Sequence, residues 1–171
     1  MTAAAARIRT AARRELVLAA AALAIVPAGA SSQAPPPASL WATINSCDPP
    51  ERPATVGVRV SMPARGKAAQ WVRIRVQFYD AKTKAWRVVR GGGDTGFKKL
   101  SDGGVRVLGG TTFMFTAPKA GSRLKLRGLV EYEWRRARRV TSAARLHTTA
   151  GHLDPADPLL PVSRATCDIV R

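Results

Sequence analysis

The chain has 171 residues, with 28 Lys and Arg against 11 Asp and Glu, for a net charge of +17. That length is one domain once any leader is removed, and the 14 Gly and 12 Pro imply many turns. Hydrophobic residues make up 46% and aromatic ones only 6%, so a core must rest on Val, Leu, Ile and the four tryptophans, with alanine inflating the apolar total.

Residues 1–30 have the layout of a bacterial secretory signal peptide. Arg7, Arg9, Arg13 and Arg14 form a positive start, Leu16 to Val26 is an uncharged apolar run, and Ala28-Gly29-Ala30 supplies small residues. The run is about half of the roughly 20 residues a bilayer span needs. Cleavage is expected after Ala30, with Ala34 as the alternative. Arg13-Arg14-Glu15-Leu16-Val17 resembles a twin-arginine export motif but departs from it at Ala12 and in lacking a following lysine, so both export routes stay open. Removing the leader's four arginines and Glu15 leaves 24 basic and 10 acidic residues, a net +14 for the mature part. Residues 31–39, SSQAPPPAS, are too small, polar and proline-rich to bury a face and read as a spacer. Residues 40–171 are expected to fold.

Leu40 to Cys47 reads as the first strand. Asp48 to Pro53 is a turn stiffened by three prolines. Thr55 to Met62 alternates, with Val56, Val58, Val60 and Met62 expected inward and Thr55, Gly57, Arg59 and Ser61 outward. The clearest stretch is Trp71 to Val89. Val72, Ile74, Val76 and Phe78 fall on every second position, Asp80 to Lys84 breaks the pattern, and Ala85 to Val89 resumes it, which is the grammar of a β-hairpin. Arg90 to Gly96, RGGGDTG, lacks the Gly-Lys-Ser/Thr ending and following helix of a phosphate loop and reads as a plain loop. Asp94 and Asp102 read as solvated turn residues, too loosely spaced for a calcium site. Val105 to Leu108 and Thr111 to Thr116 flank Gly109-Gly110, the pattern of a hairpin with a two-glycine turn, with Phe113 and Phe115 as core candidates.

Arg123 to Trp134 is the longest strand. Leu124, Leu126, Val130, Tyr132 and Trp134 share one face; Arg123, Lys125, Arg127, Leu129, Glu131 and Glu133 share the other. Gly128 is a candidate for a bend. Arg135 to Arg138 is a basic hairpin tip, and Arg139 to Thr148 returns. Thr149 to Pro161 is loop material, and Val162 to Arg171 is a tail with one last extended segment. The expected fold is therefore all-β: an antiparallel two-sheet sandwich of about seven strands after the signal helix.

Trp41 and Cys47 on the first strand, the Trp71–Trp86 hairpin, Tyr132 and Trp134 on the long strand, and Cys167 near the end follow the pattern of immunoglobulin and fibronectin type III modules. With the leader, the chain resembles small secreted bacterial proteins built from one such domain. It lacks the two cysteines on the second and sixth strands of antibody domains. The resemblance implies a fold and an extracellular or cell-surface location and brings no activity with it. In an exported chain Cys47 and Cys167 are expected to pair.

Little points to catalysis. His147 and His152 are the only histidines, and neither shares a motif with a cysteine, as a catalytic thiol would need. His152-x-Asp154 is the best acid/base or metal candidate, but a metal site wants three or four ligands and no further convergent set is present. No nucleophile elbow, triad or sugar-cleaving signature occurs, so no catalytic residue, metal or cofactor is expected. The outward charges point elsewhere. In an immunoglobulin-like topology Arg73, Arg75, Arg123, Lys125 and Arg127 would lie close together, making a cationic face for polyanions. The expected partner is an anionic envelope polymer, with another extracellular protein as the alternative and a small hydrolase as a third reading; export argues against specific nucleic-acid recognition.

Overall fold

A computed structural model describes residues 39–153 and 162–171. The expected signal peptide and most of the spacer, together with Asp154, Asp157 and Pro161, lie outside them. Every regular element described is a strand: β1 (Trp41–Cys47), β2 (Thr55–Met62), β3 (Ala69–Asp80), β4 (Ala85–Val88), β5 (Lys98–Ser101), β6 (Val107–Met114), β7 (Arg123–Arg136), β8 (Arg139–His147) and β9 (Cys167–Val170). All ladders are antiparallel. One sheet has the order β1-β2-β6. The other runs β4-β3-β7-β8, with β5 also on β3 and β9 also on β7. No helix among the described residues is long and apolar enough to cross a membrane.

Period-two alternation decides which side chains face inward. Val56, Val58, Val60 and Met62 of β2 meet Val72, Ile74 and Val76 of β3 and Leu126, Val130, Tyr132 and Trp134 of β7 in one buried cluster. Few aromatics are available, so the two on β7 carry much of the volume. Trp134 and Tyr132 are fully buried, and each polar tip is satisfied: Trp134 Nε1 donates to Pro63 O at 2.8 Å and Tyr132 OH donates to Trp41 O at 2.7 Å. Burial pushes the Tyr132 phenol well above its ordinary range.

The expected two-glycine hairpin is not there. β6 runs unbroken through Gly109 and Gly110, paired with β2 from Val107–Met62 to Met114–Thr55. The glycines serve close packing instead. A Cβ on Gly110 would lie 2.6 Å from the Val58 carbonyl oxygen, and one on Gly109 would lie 2.9 Å from Leu100 Cδ2. Gly128 likewise makes no bend: it stays in register with Val76, and a Cβ there would lie 2.6 Å from Thr148 Cγ2.

The outer face of β1-β2 is drier than simple alternation implies. Thr55 and Ser61, expected outward, are buried. The chain beyond β8 runs along the free edge of β1: Thr149 N donates to Ala42 O at 2.8 Å, and Ile44 and Arg164 exchange two backbone hydrogen bonds. Buried hydroxyls find partners there, Thr43 with Ser163 and Ser61 with Ser39 O. The expected disulfide forms between Cys47 at the end of β1 and Cys167 at the start of β9, with Cα atoms 5.4 Å apart.

Candidate anion-binding surface

β3 and β7 do lie side by side. Their ladder sets Arg73 opposite Glu131, Arg75 opposite Leu129 and Gln77 opposite Arg127, and it ends at Phe78–Leu126. Arg123 and Lys125 therefore fall past its end, paired in register with Val170 and Asp168 of β9. The structure brings Arg73, Arg75 and Arg127 onto one face and sets Arg123 and Lys125 beyond it.

Most of these bases are already engaged. Arg73 grips Asp94 through Nε–Oδ1 at 2.9 Å and Nη2–Oδ2 at 2.5 Å, and this hydrogen bonding holds the Asp94 carboxyl below its ordinary range. Arg75 Nη2 lies 2.7 Å from Glu131 Oε2. Arg123 binds Asp168 through two contacts of 3.0 and 2.8 Å. Arg127 Nε donates to Gln77 Oε1 at 2.9 Å, and its guanidinium stacks 4.2 Å from the Trp86 ring centre; burial lowers its pKa. Lys125 has no ion pair within 4 Å among the described residues. Asp94 is thus a structural partner of β3, while Asp102 is the solvated turn residue expected, its side chain 88% exposed beside Lys99. The flat face is a lattice of neutralised pairs, with Leu129 buried between Arg75 and His147 in register.

Six cations without such partners stand at one end of the molecule. β7 and β8 meet in a two-residue turn, Ala137-Arg138, with Arg136 paired to Arg139. Arg136 Nη2 lies against Gly66, only 3.2 Å from where a Cβ would stand. That contact brings the tip to the loop carrying Arg65 and Lys67. Arg65 is stacked 4.4 Å over the Trp134 ring and donates to Ser142 Oγ at 2.6 Å. The next loop joins at the same place, since Gly104 N donates to Gly66 O at 3.0 Å, and Arg106 follows two residues later, next to the Val107–Met62 end of the β6 ladder.

Arg65, Lys67, Arg106, Arg136, Arg138 and Arg139 are all exposed, and none has a carboxylate within 4 Å among the described residues. Meanwhile Arg135 stacks between Trp71 and Phe97, at 4.5 and 5.0 Å, and pairs with Glu133 at 2.5 Å. Sequence reading had marked Arg135 to Arg138 as a basic tip. Periodicity gives no means of adding Arg65, Lys67 and Arg106, which lie 29 to 70 positions before Arg135 along the chain.

His152 turns out to be a packing residue on the other sheet. Its ring lies flat on Trp41, with centres 4.6 Å apart and planes 6° from parallel, and Arg59 Nη2 donates to its carbonyl at 2.6 Å. Nε2 is 3.1 Å from Thr149 Oγ1. Desolvation, with Arg59 nearby, lowers its pKa. Asp154, its expected companion, is outside the described residues. His147 is exposed, as alternation implies, and its pKa is lowered by desolvation and by Arg127 and Arg145. Among the described residues no three His, Cys, Asp or Glu side chains converge on a metal-sized site. In comparisons with known proteins, no family model, curated protein or solved structure matches this chain.

Proposed function

We propose that the protein is an exported, non-enzymatic binding module that takes anionic polymers at its β7–β8 end. The observation that carries this reading is the convergence of Arg136, Arg138 and Arg139 with Arg65 and Lys67, held by the Arg136–Gly66 contact, while the acidic residues of the sheet face are engaged with other bases. A repeating anion spans several such charges at once and releases counterions, which makes affinity steeply salt-dependent. Export is inferred from the leader and agrees with a disulfide. An immunoglobulin or fibronectin type III-like module is the matching fold reading, supported by a first, second and sixth strand in one sheet against the third and seventh in the other.

The test is binding of the oxidised protein to heparin and polyphosphate across a salt series. Arg136→Ser/Arg138→Ser/Arg139→Ser is expected to lose most of the affinity and to flatten the salt slope by about one for each contact removed. Arg73→Ser/Arg75→Ser/Lys125→Ser/Arg127→Ser is expected to change it less. The reverse ranking would return the site to the strand face. Equal binding by all three proteins would refute both locations.

A second reading, docking of another extracellular protein by strand addition, is favoured by β6. It is paired only with β2, has no charged residue or proline from Val107 to Met114, and exposes Leu108 and Met114. Sheet edges ordinarily carry such guards against pairing. Binding to envelope extract that ignores salt and is lost in Thr111→Pro would support it.

A further inference from the structure

The two ends of the core are closed differently. At the β7–β8 end, Trp134 and Tyr132 plug it and are fully buried. At the opposite end Phe78, Val89, Phe115 and Leu124 are only partly buried at the margin of the cluster, and they line a crevice of about 410 Å³. Alternation explains why these residues point there: Phe78 continues the inward row of β3, Leu124 that of β7, and Phe115 that of β6, with its ring parallel to Phe113. The exposed members of its lining, Arg90, Gly91, Met114 and Thr116, form the mouth. Arg90 is exposed and has no ion pair within 4 Å among the described residues.

We infer that this crevice binds an amphiphile with an apolar tail and a single anionic head, such as an aliphatic carboxylate. The volume falls within the roughly 300–1,000 Å³ of small-molecule sites. An apolar wall with one charged group at its mouth selects that class. The tail removes water from Phe78, Phe115 and Leu124, and the head forms a charge-assisted pair with Arg90, which no carboxylate of this chain neutralises. A polyanion fits the opposite end, where many charges are spread over a surface; here one lining cation stands beside Phe78, Phe115 and Leu124. The site is separate from the polymer-binding reading, and either can fail without the other.

The experiment uses the oxidised full chain with decanoate and decanol, each displacing 8-anilinonaphthalene-1-sulfonate. Arg90→Gln is expected to weaken decanoate roughly tenfold or more, the effect of losing one charge-assisted hydrogen bond, and to leave decanol unchanged. Leu124→Trp fills the slot and is expected to abolish binding of both, with circular dichroism confirming the fold. Thr116→Trp obstructs the mouth from an exposed position, so it serves if Leu124→Trp does not fold, and it is expected to weaken both. Arg136→Ser/Arg138→Ser should leave decanoate binding intact. Absence of displacement, binding unchanged in the Trp variants, or loss of decanoate in the Arg136/Arg138 variant would overturn the assignment.

Discussion

Removing the Cys47–Cys167 bridge is the perturbation with the most calculable outcome. The cysteines are 120 residues apart, so the bond closes nearly the whole folded chain into one loop. In the chain-entropy model a loop of that size costs the unfolded state about 5 kcal/mol at 25 °C. That is comparable to the ~5–15 kcal/mol net stability of a small domain. The native side of the balance changes little, because β9 keeps other attachments. It has four ladder pairs with β7, Ile169 is fully buried, and Arg171 grips Asp48 through two contacts of 2.7 and 2.6 Å.

Cys47→Ala/Cys167→Ala is therefore expected to stay folded with β9 in place and to lose about 5 kcal/mol. At about 2–4 °C per kcal/mol for a domain of this size, the melting temperature should fall by ~10–20 °C. Urea unfolding of the oxidised, reduced and double-Ala proteins measures the first quantity, and scanning calorimetry the second. Reduced wild type and the double variant should agree, and the slope against urea should rise on loss of the bridge because the freed unfolded chain exposes more surface. A loss under about 1 kcal/mol would refute the loop-closure argument. A loss of native dispersion around Ile169 alone, seen by amide exchange before global unfolding, would show instead that the bridge is what holds β9.

Gly110→Val sets a branched side chain against the Val58 carbonyl, 2.6 Å from where its Cβ must stand, and should destabilise by roughly 1–3 kcal/mol in urea; a neutral outcome would show that β6 can shift. Ala137 holds φ of 50° at the β7–β8 turn, where an L-residue pays roughly 1–2 kcal/mol in the left-handed region. Ala137→Gly should then raise stability by up to about 1 kcal/mol, read from the urea midpoint. The Asp48, Asp94 and Asp168 carboxyls are held below their ordinary range chiefly by hydrogen bonds from Arg171, Arg73 and Arg123. A depressed folded pKa means the unfolded state binds more protons as pH falls. Their contribution to stability should thus be level above the ordinary carboxylate pKa of about 4 and decline below it, and Asp48→Asn should flatten that decline. His147 and His152, also lowered, should add a smaller loss as pH falls below about 6.5, absent in His147→Gln/His152→Gln.

Much of the fold was legible locally. The inward rows of β2, β3 and β7 follow from a period of two, because successive side chains on a strand point to opposite faces whatever the partner. Cys47 pairs with Cys167, as the sequence led one to expect. Tyr132 and Trp134 were placed in the core by the same count. Gly109-Gly110 shows where local reading stops. Two glycines between apolar runs are equally consistent with a tight turn and with a strand that another backbone must approach closely; only the position of Val58 decides between them.

The surface divides in the same way. Composition determined that the protein is strongly basic, and alternation set Arg73 and Arg75 on one face of β3 and Arg127 on one face of β7; the β3–β7 pairing makes these a single face. Whether a base is free depends on what the fold carries to it. Asp94 reaches Arg73 from 21 positions away and Asp168 reaches Arg123, beyond the face, from 45, which neutralises those bases, while Gly66 meets Arg136 at the end where Arg65, Lys67 and Arg138 also stand without a carboxylate among the described residues. Periodicity is a property of neighbours in the chain and is written there. Ion pairing and cavity shape are properties of neighbours in space, set when loops of many residues close, and only the tertiary structure decides them.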